Sequence, residues 1–201
     1  MKNVIIFEDD FRIAVLLKEK INELADYQCE AVFSNPIEFL ENPIPADIYL
    51  LDIIMPKMNG LDAIKKILAL YPESNIIINS IREDSDTIFN AIQLGAIGYI
   101  DKQSFQMDYQ EVFDAIQDDG AYMTPKIARK VIAHFQKKKN DLEKLTQCEI
   151  AITNDILDGL SYKLVADRHN LSIDSVRSHI KNIYRKLNIN SKSKLFNTFK
   201  I

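Results

Sequence analysis

The amino-acid sequence predicts an α/β fold over residues 1–118, a five-stranded doubly wound parallel sheet, followed by a small all-α domain. Three observations carry this. Short, strand-length apolar runs alternate with helical periodicity as far as about residue 118. Beyond Leu145 no such run recurs, and only short helical segments remain. The charge also changes sign along the chain: residues 1–118 hold nine basic and 21 acidic side chains, a net of −12. Residues 119–143 carry +3 and residues 144–201 carry +5. The overall −4 of the 201 residues thus averages an acidic front against a basic tail, which suggests separate domains with separate partners.

The strands are Val4–Phe7, Cys29–Phe33, Ile48–Leu51, Ile76–Ile78 and Ile97–Ile100, all rich in β-branched and aromatic residues. Helical patterns lie between them. Ile13, Leu16, Leu17, Ile21 and Leu24 fall on one helical face, and Gly60 precedes another with Ile64, Ile67 and Leu68 inward. Residues 119–143 read as a helical linker. Thr124-Pro125 is a cap and first-turn pair, Ile127, Val131 and Phe135 share a face, and the helix is expected to end in Lys137-Lys138-Lys139-Asn140. Residues 144–201 form the last domain. Thr146-Gln147-Cys148-Glu149 is a capping box, and the later helices are separated by Asp158-Gly159, His169-Asn170 and Asn188–Ser191.

Composition excludes several classes. A hydrophobic fraction of 47% excludes a largely disordered chain. No apolar run approaches the ~20 residues that span a bilayer, and the start of the chain turns acidic at Glu8, too early for a secretory signal. Cys29 and Cys148 are far apart and lack metal-ligand spacing, so free thiols in a reducing cytoplasm are expected.

A doubly wound sheet places its site at the carboxyl ends of its strands. Glu8-Asp9-Asp10 follows the first strand, Asp52 the third, Ser80 the fourth and Lys102 the fifth. Crowded carboxylates repel one another unless a hard divalent cation sits among them, and magnesium suits an oxygen-only site that awaits a phosphoryl oxygen. Lysine offers that phosphoryl group a positive charge and serine a hydroxyl donor. The set fits phosphoryl transfer to a carboxylate nucleophile.

Residues 1–118 resemble the receiver domain of two-component response regulators, a flavodoxin-like fold. The segment Leu51-Asp52-Ile53-Ile54-Met55-Pro56-Lys57-Met58-Asn59-Gly60-Leu61-Asp62 carries the resemblance. It implies that Asp52 is the phosphoacceptor and that Glu8, Asp9, Asp52 and the main-chain carbonyl of Ile54 hold Mg2+. It also implies that Ser80 is the switch hydroxyl, Tyr99 the switch aromatic and Lys102 the phosphoryl-binding lysine, with a sensor histidine kinase as the phosphodonor. Phosphorylation, adding roughly −1.5 to −2 charge, is expected to draw Ser80 and Lys102 inward and let Tyr99 turn into the vacated space. That movement biases a face built from the fourth helix and fifth strand. Three residues depart from the family pattern: Ser80 replaces threonine, Ile81 replaces a small residue and is expected to crowd the pocket mouth, and Gln103 replaces a proline, leaving the preceding bond cis or trans.

The spacing Thr146…Glu149…Gly159-Leu160-Ser161…Val165-Ala166…Leu171-Ser172…Val176…His179…Lys186-Leu187 resembles the LuxR-type helix-turn-helix of the NarL/FixJ response regulators. Ser172 can cap a helix over about 173–187 that buries Val176, Ile180, Ile183 and Leu187. By the resemblance Arg177, Ser178 and Lys181 read base edges of double-stranded DNA, while Arg185, Lys186, Lys163 and Lys192 contact phosphates. His169 replaces an apolar residue and Ser175 a threonine, changes expected to loosen helix packing.

The expected function is a cytoplasmic, phosphorylation-controlled transcription factor, not an enzyme, that dimerises when phosphorylated and does not engage a membrane. A phosphatase using Asp52 as nucleophile is the enzymatic alternative. It generally needs a second aspartate two residues on, where this sequence has Ile54. A ligand-sensing regulator of the same DNA-binding class would need a sensing cavity in place of the Asp-Ser-Lys pocket.

Overall fold

The structure is a computed structural model that describes residues 1–103, 107–118 and 120–199; the side chains of residues 137–140 and 197 also fall outside the description. The chain divides into two compact units, Met1–Val131 and Ile132–Ile201.

In the first unit, β1 (Lys2–Phe7), β2 (Tyr27–Phe33), β3 (Ile48–Leu51), β4 (Asn75–Ser80) and β5 (Gly98–Asp101) alternate with α1 (Phe11–Asn22), α2 (Pro36–Glu41), α3 (Gly60–Leu70), α4 (Ser85–Gln93) and α5 (Tyr109–Gln117). A sixth strand, β6 (Tyr122–Met123), leads to the long helix α6 (Pro125–Glu143). The order β2-β1-β3-β4-β5-β6 is parallel throughout. It reverses direction between β1 and β3, the switch point at which such sheets bind their ligands.

The strands read as continuous apolar runs because both sheet faces are covered. Successive side chains alternate between the faces. Ile5, Phe7, Tyr49, Leu51, Ile76, Ile78 and Tyr99 join one core with Phe39 of α2, Ile64 and Ile67 of α3, and Ile88 and Ala91 of α4. Val4, Ile6, Ile48, Leu50, Ile77 and Ile100 join another with Leu17 and Ile21 of α1 and Val112, Phe113 and Ile116 of α5. Each buried aliphatic or aromatic side chain contributes roughly 1.5–3 kcal/mol.

Four details differ from the sequence reading. The sheet has β6 as an additional strand, too short at two residues to leave a periodic signal. α1 buries Ala14, Leu17 and Ile21, whereas Leu16 is 51% exposed, one residue off the buried stripe. α6 runs through the lysines to Glu143, since lysine propagates a helix well and no proline or glycine interrupts it. The buried Thr124 hydroxyl finds no hydrogen-bond partner among the described residues and does not cap α6.

The second unit contains α7 (Gln147–Leu157), α8 (Tyr162–His169), α9 (Ile173–Leu187) and α10 (Lys192–Phe199). The Thr146 and Glu149 capping box forms as expected, with both reciprocal bonds present. Ser161 and Ser172 cap α8 and α9. Asn170 and Asn188, both at φ 53°, close those helices in the left-handed conformation that asparagine tolerates. Ile152, Ile156, Val165, Ala166, Val176, Ile180, Ile183 and Leu187 form the core, with Ala166 small among them.

Candidate functional site

Four strand ends meet at one edge of the sheet. β1 delivers Glu8, β3 delivers Asp52, β4 ends on Ser80, and β5 ends one residue before Lys102. Phe7 and Leu51 are paired in register, so Glu8 and Asp52 leave the sheet side by side at its switch point. Asp10 turns away to cap α1, accepting from the Arg12 N–H at 2.9 Å.

Asp52 is 5% exposed. Its Oδ1 accepts the Ser80 hydroxyl at 2.7 Å and the Ile53 and Ile54 N–H groups at 2.6 and 3.3 Å. Its Oδ2 accepts from Lys102 Nζ at 2.6 Å, and the same ammonium reaches Glu8 Oε2 at 2.5 Å. Burial pushes the Glu8 carboxyl above its ordinary pKa, against the pull of Lys102. Glu8, Asp9 and Asp52 place carboxylate oxygens within 4.8 Å of one another, with Glu8 and Asp52 buried and Asp9 exposed. Two of these carboxylates share the Lys102 ammonium with a third close by, and this oxygen-only donor set with surplus negative charge fits a hard divalent cation.

Tyr99 is buried, and its hydroxyl donates to the Arg82 carbonyl. Burial, with the nearby carboxylates of Asp84 and Asp52, pushes its pKa up. The inward placement that the resemblance assigned to the phosphorylated state is therefore already present beside an unmodified Asp52. Ile54 and Ile81 are 43% and 55% exposed. The bond from Lys102 to Gln103 is trans, as are all peptide bonds among the described residues.

Gly60 has a role that its place in the motif did not disclose. A Cβ there would lie 2.0 Å from the Asp52 carbonyl oxygen, and the Gly60 N–H donates to the Ile53 carbonyl at 3.0 Å. Only glycine lets α3 start this close to the loop that carries Asp52.

The second unit presents α9. It buries the four expected residues and exposes Arg177, Ser178, Lys181 and Arg185 on its other faces. Arg177 reaches the exposed Asp174 at 3.0 Å, Arg185 donates to Asn182 at 3.2 Å, and the Ser178 hydroxyl donates to the Asp174 carbonyl. Lys163 and Lys192 are exposed, the latter 5.6 Å from the Phe196 ring centroid. Lys186 stands apart, because its ammonium lies 2.6 Å from the buried carboxylate of Glu149, the capping-box residue of α7. That pairing, with the Thr146 amide, holds the Glu149 carboxyl below its ordinary range despite burial. Sequence reading missed a further tie: the buried carboxylate of Asp155 on α7 accepts Arg168 and meets His169 Nε2 at 2.6 Å. His169 thus fastens α8 to α7 rather than loosening the packing.

Comparison with known proteins adds to this geometry. The response regulator receiver domain family matches residues 4–117, and the luxR family of bacterial regulatory proteins matches residues 143–199. The transcriptional regulatory protein YdfI of Bacillus subtilis is 29% identical over 199 residues, covering 96% of this chain and 92% of that protein. The nitrate/nitrite response regulator NarP of Escherichia coli is 30% identical over 159 residues, covering 76% and 72%. Among solved structures, the RcsB response regulator of Salmonella typhimurium superposes with a TM-score of 0.63 at 20% identity, covering 98% of this chain and 96% of that one.

Proposed function

The chain belongs to the DNA-binding two-component response regulators that join a receiver domain to a luxR-type helix-turn-helix, and from that premise we propose that a partner histidine kinase phosphorylates it on Asp52 to control transcription. The observation that carries this reading is the Asp52 carboxylate itself. It is held by Ser80 at 2.7 Å and Lys102 at 2.6 Å, with two further carboxylates beside it. In the transfer, an Asp52 oxygen forms a bond to phosphorus as the donor's phosphorus–nitrogen bond breaks, and the leaving imidazole nitrogen takes a proton from solvent.

Glu8, Asp9, Asp52 and the Ile54 carbonyl would hold a magnesium ion, which supplies positive charge to the phosphoryl oxygens. Lys102 neutralises a second part of that charge, and the Ser80 hydroxyl and the Ile53 and Ile54 amides orient the acceptor. Ile54 cannot move a proton or position a water, so the acyl phosphate is expected to last well beyond seconds in purified protein; a half-life of seconds contradicts this.

For the second unit, α9 enters the major groove with Arg177, Ser178 and Lys181 on base edges, and Arg185, Lys163 and Lys192 on phosphates. Lys186 serves the fold first, since a phosphate would have to displace Glu149. The phosphorylated protein acts as a homodimer in the cytoplasm; among the described residues no helix is long and apolar enough to cross a membrane. In the resting chain the −12 front shields the +5 tail.

The test pairs Phos-tag gels of wild type and Asp52→Ala with DNA binding over a range of salt. Labelling is expected to vanish in the variant, and phosphorylation to tighten binding with a salt slope set by several phosphate contacts. Equal DNA binding by labelled and resting protein overturns the shielding.

A further inference from the structure

The face made by β5 and α4 is not bare in this chain. β6 extends the sheet beside β5, pairing Tyr99 with Met123, and the Thr124 N–H donates to the Tyr99 carbonyl at 3.2 Å. The first turns of α6 follow directly. Ile127 is fully buried in the core shared by Ile88, Ala91 and Tyr99, and Val131 packs against that core.

Two lysines fasten the same turns to the loops that leave the acceptor pocket. Lys126 Nζ pairs with the Glu83 carboxylate and reaches the buried Asp101 Oδ2 at 3.2 Å. Lys130 Nζ donates to the Glu83 carbonyl at 2.6 Å and lies 3.4 Å from its carboxylate. Glu83 is held below, and Lys126 above, their ordinary pKa values by this pairing. The anchors sit on two different segments: Glu83 is three residues past Ser80, and Asp101 immediately precedes Lys102. Between them the Tyr99 hydroxyl holds the Arg82 carbonyl.

We propose that the opening turns of α6 are the partner for which the β5–α4 face is built, seated there by Lys126 and Lys130 on Glu83 and Asp101, and that labelling of Asp52 loosens this seat. The coupling rests on the phosphoacceptor reading given above. Both oxygens of Asp52 are already occupied, one by Ser80 and one by Lys102. A phosphoryl group on either oxygen takes that oxygen's donor from the carboxylate onto the phosphoryl oxygens. The loop behind Ser80 then shifts against the segment behind Lys102, and Lys126 can no longer span both anchors. α6 runs on beyond Val131 into residues of the second unit, so its seating is placed to report the state of Asp52 to them.

Hydrogen exchange of the amides of residues 122–131 in the full chain, with and without acetyl phosphate and magnesium, tests this. Labelling should speed exchange there about three- to tenfold, the scale of a few partly exposed ion pairs. The Lys126→Gln/Lys130→Gln variant should exchange that fast before labelling and change no further after it. The Lys126→Arg/Lys130→Arg variant should restore wild-type behaviour, which a loss of fold would not. A Gln variant that exchanges like wild type overturns the seat. Wild type labelled on Phos-tag gels but unchanged in exchange overturns the coupling alone. Wild type that takes no label overturns the phosphoacceptor reading and the coupling with it, while the unlabelled variants still decide the seat.

Discussion

Two buried carboxylate sites, each paired with a lysine at almost equal length, do opposite things in this protein. In the first unit Lys102 lies 2.5 Å from Glu8 and 2.6 Å from Asp52. In the second, Lys186 lies 2.6 Å from Glu149. The lengths do not distinguish them; the accounting of charge does. Lys102 serves two buried carboxylates with a third close by, so the pocket keeps an excess of negative charge and an appetite for a cation. Glu149 has one lysine and the amide of Thr146, and its demands are met. Burial accordingly wins at Glu8, whose pKa rises, and pairing wins at Glu149, whose pKa falls. A site is left incomplete for its ligand, whereas a clamp is closed on itself.

Removing each lysine in turn separates the two roles. Lys102→Ala should slow phosphoryl labelling about 100-fold, as loss of a group that stabilises developing charge does elsewhere. Lys186→Ala should leave labelling unchanged and lower the stability of the second unit by about 1–2 kcal/mol, read as a lower melting temperature. If Lys186→Ala slowed labelling, or Lys102→Ala did not, the distinction would fail.

A substitution on the exposed face of α9 sharpens it further. Arg177→Ala should cost about 1–3 kcal/mol of DNA affinity and relax sequence preference, with melting temperature unaltered. Lys186→Ala should weaken DNA binding only as far as it destabilises the fold. Titration gives a smaller effect. The depressed Glu149 carboxyl contributes stability that is present above the ordinary carboxylate range and lost as pH falls through its folded value. The acid limb of thermal stability should therefore flatten in Glu149→Gln; an unchanged limb counts against the clamp. Smallest of all is the effect of Ile81→Ala, expected to quicken labelling by small phosphodonors only slightly, since Ile81 is 55% exposed. No gain at all would remove Ile81 as an obstacle.

The parts of the molecule that could be read from sequence are those whose cause is local. Strands covered on both faces, such as β3 from Ile48 to Leu51, print themselves as apolar runs, and the residues just after them mark the pocket. β6 could not be read because two residues carry no period, and α6 overran its expected end because the polar run that looks like a linker is also good helix-forming sequence. The charged ties were hidden for another reason. Glu149 and Lys186 are 37 positions apart, and Asp155 and His169 are 14 apart, so nothing local announces the partner. The requirement for glycine at position 60 likewise comes from the backbone of Asp52, which only folding brings near.

Whether Asp52 receives the phosphoryl group is decided by intact-protein mass spectrometry after incubation with acetyl phosphate. Wild type should gain a single phosphoryl group that depends on magnesium, and Asp52→Ala should gain none while keeping the wild-type melting transition of the second unit. An Asp52→Ala protein that is phosphorylated as readily as wild type would contradict the account.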